Sequence, residues 1–324
     1  MERLTERWVP WRDAWQQALY GPDGFYRTAV PGDHFRTSVH ASALFAGAVL
    51  QVVRRQRLTG VTDYGAGNGE LLRHLAAVAP DLSLTAVEVR PRPEDLPASI
   101  SWVAELPDRV EGLLFANELL DNVPCDVVER DDSGAIRIIE VDPDSGRERR
   151  GDLADTALVD WLDRWWPLEQ SGDRAEVGLT RDRFWQRACG RITSGASLAI
   201  DYGHLRGYRP VLGTICSYRA GHETPLSLDG HHDLTAHVSI DSLAAGVGAT
   251  VGRQRDLLRD LGLTANRPDL SLATSDPVGY VHALSASSEA GELLASPGLG
   301  DLHWVLGRHG ADREAGDALA GVGR

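Results

Sequence analysis

Apolar residues recur along this chain at two spacings, three or four residues apart in some stretches and in short unbroken runs in others. These spacings predict helices and strands in turn. Leu4, Trp8, Trp11, Trp15 and Leu19 predict a helix over residues 1–20, which Pro10 can split, and Gly21-Pro22-Asp23-Gly24 ends it. Ser38 is placed to cap a helix through Leu44, Phe45, Ala48 and Val52. Leu58–Asp63, Leu82–Val89, Ile100–Val103 and Gly112–Ala116 read as strands. Between the first two, Glu70–Ala79 reads as a helix with Leu71, Leu72, Leu75 and Val78 on one face. Alternation of this kind with short connections predicts a parallel, doubly wound α/β sheet.

Residues 125–190 break the rhythm. Val127–Glu129 and Ile136–Val141 flank Asp131-Asp132-Ser133-Gly134 as a hairpin, and helices follow around Leu153–Trp166 and Thr180–Cys189. The core resumes at Ala196–Asp201. A strand-like run follows at Thr214–Tyr218, then a helix at Ile240–Val247, a strand at Thr250–Arg253, a helix at Pro277–Ala290 and a strand at Leu302–Gly307. The pattern divides the chain into an N-terminal segment, 1–57, and a core, 58–324, that carries the 125–190 insertion.

Composition narrows the chemistry. The 324 residues include no lysine, so all 33 basic residues are arginine, and 47 acids leave a net charge of −14. Schiff-base chemistry and lysine-bearing phosphate loops are thereby excluded, and nucleic acid is a poor partner for so acidic a chain. No apolar run approaches a membrane span. The acidic, polar N-terminus reads as neither a secretory signal nor a transit peptide, and three scattered cysteines suit a reducing cytoplasm. His222, His231, His232 and His237, with Asp229 and Asp233 among them, lack metal-ligand spacing, so no metal is expected and Asp233 reads as a helix cap.

The most informative segment is Asp63-Tyr64-Gly65-Ala66-Gly67-Asn68-Gly69-Glu70, where a strand meets a glycine loop and a helix. A dinucleotide site calls for G-x-G-x-x-G with pyrophosphate at the helix start. Here the spacing is G-x-G-x-G, and Glu70 and Asp63 would repel phosphate. A cationic, phosphate-free ligand fits better, namely S-adenosylmethionine. Glu88, at the next strand end, is placed for ribose hydroxyls, and Glu105, after the third strand, for the adenine amine. Asn117 and Glu118 follow the fourth strand, where ligands of open α/β sheets sit. Asp121 lies one helical turn beyond Glu118, so the two carboxylates can grip a cationic acceptor such as guanidinium. Acids decorating a helix start explain that pair equally well.

Several of these segments, in order, resemble the MidA-like S-adenosylmethionine-dependent methyltransferases. Ala18-Leu19-Tyr20-Gly21-Pro22-Asp23-Gly24-Phe25-Tyr26 is similar to the family's A-L-Y-x-P-x-x-G-Y-Y run, and Gly32–Ser38 to its G-D-F-x-T-S. Asp63–Gly69 and Asn117-Glu118-Leu119-Leu120-Asp121 with Pro124 match its glycine loop and N-E-x-x-D-x-x-P. Ile200-Asp201-Tyr202-Gly203, Gly213-Thr214, Tyr218-Arg219, Asp233–Val238 and the Gln254–Gly262 run follow in family order. Asn122 stands where alanine is usual, and Val39 where proline is common.

The resemblance implies a class I, Rossmann-like fold with an N-terminal helical segment and an inserted α+β lid. It implies S-adenosylmethionine at Asp63, Gly65, Gly67, Gly69, Glu88, Glu105 and Asn117, with Glu118, Asp121 and Asn117 catalytic. Tyr26, Phe35, Thr37, Asp201, Tyr202 and His237 are then expected around the acceptor, walled by 25–37 and the insertion. The expected acceptor is an arginine of a protein partner. The alternatives are a small-molecule acceptor and a non-catalytic assembly factor that binds S-adenosylmethionine for structure; a dinucleotide oxidoreductase is the distant third.

Overall fold

The computed structural model describes residues 6–28 and 43–310. The chain divides into two compact units, one drawn from residues 1–35, 118–188 and 202–248, the other from 36–117, 189–201 and 249–324.

The second unit is built on a seven-stranded sheet. Its strands are β1 (Gly60–Tyr64), β2 (Ser83–Val87), β3 (Ile100–Val103), β4 (Val110–Asn117), β5 (Ile192–Asp201), β6 (Thr250–Arg253) and β7 (His303–Gly310), in the order β6-β7-β5-β4-β1-β2-β3. The five strands from β5 to β3 run parallel, whereas β7 is antiparallel to both β5 and β6. The sheet is therefore mixed, and the chain is an α/β protein. Helices α1 (Ala43–Arg55), α2 (Glu70–Val78), α3 (Gln254–Asp260) and α4 (Pro277–Leu294) belong to the same unit. On α1, Phe45, Val49 and Val52 recur at helical spacing and are buried, with the Phe45 ring 6.2 Å from that of Phe115 on β4. Leu71, Leu72 and Leu75 of α2 are buried as the spacing predicts, but Val78 is 60% exposed, because the helix ends there and Ala79 turns back.

Three glycines lie side by side across the middle of this sheet. Gly112 registers with Gly195, and the β1–β4 register sets Gly60 beside Gly112. Gly112 and Gly195 adopt φ of 101° and 141°, and a methyl on Gly112 would lie 2.3 Å from the Gly60 carbonyl oxygen. The strands pair there only because no side chain intervenes.

The first unit contains the segment that broke the alternation. Asp126–Arg130 and Ile136–Val141 form the expected hairpin, extended by Val9–Pro10, Glu148–Leu153 and Arg174–Val177 into a five-stranded sheet. The last two strands were not evident in the sequence: Glu148–Leu153 is mostly exposed and charged, and Arg174–Val177 is short. The N-terminal helix begins only after Pro10, which lies in the strand Val9–Pro10; it runs from Trp11 to Tyr20 and buries Trp11, Ala14, Trp15, Ala18 and Leu19. The helix expected from Leu153 starts at Thr156, capped by Asp155 accepting the Leu158 N–H at 2.9 Å. Leu179–Cys189 and Ile240–Val247 are helices as predicted.

The glycine row yields a matched pair of substitutions. Gly112→Ala should lower the denaturation midpoint by the equivalent of about 2 kcal/mol or more, through overpacking against backbone. Gly47→Ala, in the interior of α1 with nothing within 4 Å of the added methyl, should raise it by roughly 0.5–1 kcal/mol. Urea titration of the two variants against wild type measures both.

Candidate functional site

In the second unit, β1 delivers Asp63 to a loop whose Gly65, Gly67 and Gly69 all take left-handed φ, of 81°, 64° and 79°. Three such conformations within five residues are strained for any residue with a side chain, which is why the glycines alternate. The loop is tied to the neighbouring strand: Gly65 N and Ala66 N donate to the Val87 carbonyl at 2.9 and 3.3 Å. Gly69 then opens α2 without a side-chain cap. Glu88 follows β2 and is buried; its Oε2 accepts Gly67 N at 3.0 Å. Arg90 donates to the same carboxylate through Nε to Oε1 and Nη2 to Oε2, both at 3.3 Å. Asn68 bridges to both signs, donating its amide N–H to Glu70 Oε1 at 3.0 Å and accepting from Arg90 Nη1 at 3.4 Å.

The first unit holds a second acidic group. Asn117 ends β4, and Glu118 takes φ of 50°, a left-handed conformation uncommon for a side-chain-bearing residue. Residues 118–124 form a turn, not the start of a helix, so the helical-turn argument for Glu118 and Asp121 fails. The strained Glu118 backbone redirects the chain instead. Asp121 is buried and its Oδ2 accepts Thr235 Oγ1 at 2.6 Å. Asp233 is buried as well; its Oδ1 accepts the Tyr26 hydroxyl at 3.0 Å and the Asn122 amide at 3.1 Å. Asn122 also donates to the Leu234 carbonyl at 3.0 Å, lacing the turn after β4 to the strand Asp233–Thr235. The Tyr26 ring stacks on Tyr20 with centroids 5.4 Å apart.

The sequence-derived residues separate accordingly. Asp63, Gly65, Gly67, Gly69 and Glu88 gather at the glycine loop. Glu105 sits exposed in the turn after β3 and takes no part in the Gly67–Glu88–Arg90 bonding, because β3 ends two residues before it. Tyr26 and Asp121 meet around Asp233. Tyr202 and His237 stack with centroids 6.2 Å apart, and Asp201 is buried at the end of β5, in register with His303. Phe35, Thr37, Ser38, Val39 and Leu4 lie outside the described residues. Asp233 caps no helix: it begins the strand Asp233–Thr235, and its carboxylate is engaged by Tyr26 and Asn122. Among the other histidines, His232 pairs with Asp229 at 2.8 Å.

Two residues escaped the sequence reading. Arg90 stands two positions after Glu88, a spacing that could have suggested a counter-ion. Arg181 gave no signal, since an arginine in the first turn of a helix is ordinarily solvated. It is 1% exposed and donates to the backbone carbonyls of Val123 (2.9 Å), Asp121 (2.7 Å), Ala236 and His237 (both 3.0 Å).

Burial and neighbouring acids distort the titration of both groups. Burial, then Glu70 and Glu88, push Asp63 up to about 8. Burial and Asp121 push Asp233 up to about 8 as well, against the pull of the Tyr26 hydrogen bond. Burial raises Asp121 too, with Thr235 and Arg181 pulling it back. Burial and Asp233 keep the Tyr26 phenol well above its usual range. A carboxyl with a raised folded pKa binds more protons folded than unfolded, so its contribution is complete below pH 4 and is lost as pH climbs through about 8. Asp63→Asn should therefore show a smaller fall in unfolding free energy between pH 5 and pH 8 than wild type, measured by urea denaturation at each pH; parallel curves would contradict the raised Asp63.

Residues 44–256 match the family described as "Putative S-adenosyl-L-methionine-dependent methyltransferase". The chain is similar to the mitochondrial protein arginine methyltransferase NDUFAF7 of Bos taurus, at 28% identity over 190 residues, covering 55% of this chain and 42% of that protein. It thus spans less than half the length of that curated relative. The structure is similar to that of a COG1565 superfamily member from Burkholderia thailandensis bound to S-adenosyl-homocysteine, with TM-score 0.75, 25% identity, and coverage of 94% of this chain and 89% of that one. A native crystal structure of a COG1565 superfamily protein from the same organism gives TM-score 0.75 and 26% identity, covering 94% and 88%. With the family match running through more than half of the chain, and a relative of the same fold carrying the demethylated cofactor, this chain belongs to the S-adenosyl-L-methionine-dependent methyltransferase family.

Proposed function

We propose that this chain methylates an arginine side chain of a protein partner, with Glu118 and Asp121 holding the guanidinium. The observation that carries the reading is the turn after β4, where a strained Glu118 precedes an Asp121 buried beside a second acid, Asp233. Carboxylates that pay for desolvation in this way suit a cationic acceptor, whose charge relieves the repulsion between them. The arginine activity printed in the name of the bovine relative supports the same acceptor.

The glycine loop fits the cofactor. Its left-handed glycines keep Cβ atoms off the backbone, and the buried Glu88 carboxylate stands beside it for ribose hydroxyls. Glu70 and Glu88 make the loop acidic, which suits a sulfonium and an ammonium and repels phosphate. When bound, S-adenosylmethionine supplies an electrophilic methyl group. Asn117 closes β4 on the cofactor side, and Glu118 and Asp121 orient the attacking nitrogen, where alignment supplies much of the rate. The nitrogen that gains the methyl gains a positive charge and sheds a proton, and Asp233 in its ionised form accepts it. In this reading the 125–190 insertion is the acceptor's lid. Cysteine usage favours a cytoplasmic setting. Among the described residues no helix is long and apolar enough to cross a membrane.

Labelled S-adenosylmethionine, added to lysate of the native host lacking this gene, tests the acceptor. Label should appear on arginine of a protein; label confined to a low-mass fraction, or no turnover, would replace this reading with a small-molecule acceptor or a non-catalytic role. Glu118→Ala should cut methyl transfer by roughly a hundredfold or more while leaving S-adenosyl-homocysteine affinity within about twofold. Equal loss of both would remove Glu118 from the acceptor side. The wild-type rate should rise with pH through about 8, as Asp233 ionises, and Asp233→Asn should flatten that rise.

A further inference from the structure

The Glu88 carboxylate is fully occupied by the chain itself. A carboxylate offers about four acceptor positions, two on each oxygen. Oε1 accepts Arg90 N at 3.2 Å and Arg90 Nε at 3.3 Å; Oε2 accepts Gly67 N at 3.0 Å and Arg90 Nη2 at 3.3 Å. Two of these donors, Gly67 N and Arg90 N, are backbone and are fixed by the loop. The other two belong to the Arg90 fork, which grips the carboxylate side-on with both groups largely buried, at 12% and 8% exposure.

The guanidinium is further steadied at Asn68 Oδ1, and Trp102 Nε1 holds the Arg90 carbonyl at 3.0 Å. A ribose diol needs both carboxylate oxygens at once. The only donors that can leave without dismantling the loop are Nε and Nη2 of Arg90.

We propose that Arg90 is a built-in competitor for the cofactor's diol site: its guanidinium occupies Glu88 and must rotate away before the ribose hydroxyls can bind. The proposal rests on the reading of Glu88 as the ribose ligand. Arg90 thereby sets cofactor affinity by holding the competent conformation to a fraction of the population, which scales the apparent dissociation constant by that fraction. It also keeps the buried Glu88 charge paired, where an unpaired carboxylate would be costly. A ligand with a single hydroxyl at that position would have to displace the same fork while recovering only one hydrogen bond, so the latch favours a vicinal diol.

Binding of S-adenosyl-homocysteine, which cannot react, is the direct test, by calorimetry for affinity and stopped-flow for association. Arg90→Gln should bind roughly three- to tenfold more tightly than wild type, with faster association. Arg90→Lys, which keeps the charge but loses the fork, should fall between them. Glu88→Gln should bind at least roughly tenfold more weakly. Weaker or unchanged binding by a folded Arg90→Gln, with Glu88→Gln still impaired, would overturn the competitor role and leave Glu88 as the ligand. Unimpaired binding by Glu88→Gln would overturn both. If Arg90→Gln fails to fold by circular dichroism, the association rate of Arg90→Lys decides: faster than wild type upholds the competitor, equal or slower overturns it.

Discussion

A buried cation ties together distant turns of the first unit. Arg181 is withdrawn from water, lies over the Trp15 ring at 5.5 Å, and spends its hydrogen bonds on backbone carbonyls of two separate turns, 121–123 and 236–237. A buried guanidinium costs several kcal/mol unless its donors are satisfied, so those carbonyls are held where the fork requires them. The two turns so joined carry Asp121 and the stretch after Asp233. Asn122 to Leu234 and Ala236 N to the Asp121 carbonyl complete the lacing. The acid pair is thus positioned by an arginine that forms no side-chain bond to either carboxylate.

The electrostatic design follows from that arrangement. Asp121 and Asp233 are buried near one another and near one fixed positive charge, so one carboxyl stays protonated at neutral pH and the nest is less negative than its composition suggests. The glycine loop reaches a similar state by different means. Asp63 is held protonated by burial beside Glu70 and Glu88, while Arg90 pairs with Glu88. In each unit an arginine and a proton offset acids that would otherwise leave uncompensated charge in the interior.

In a chain whose basic residues are all arginine, this has a cost as well as a use. Arginine stays charged at any physiological pH, so it is a dependable internal counter-ion and bidentate partner. Under the proposed arginine acceptor, the chain also carries many copies of its own target. Arg181 is protected because its nitrogens are already engaged by backbone carbonyls.

What the sequence determined was local and periodic. The strand–glycine loop–helix at Asp63–Glu70, the hairpin at 126–141, Ile240–Val247 and Thr250–Arg253 follow from spacing and from residues with narrow conformational preference, and Glu88 follows from its place after a strand. Chemistry that depends on neighbours distant in the chain was not legible. Nothing in Glu118-Leu119-Leu120-Asp121 announces a left-handed Glu118 in place of a helix start, because that conformation is imposed where β4 ends. Asp233 read as a cap because its partners, Tyr26 and Asn122, lie 207 and 111 residues away. Arg181 and Arg90 drew no reading because side-chain type fixes charge but not burial. Sequence patterning selects which face of an element is apolar, whereas which polar groups lose water, and so acquire altered pKa values and enforced partners, is decided only when distant segments pack.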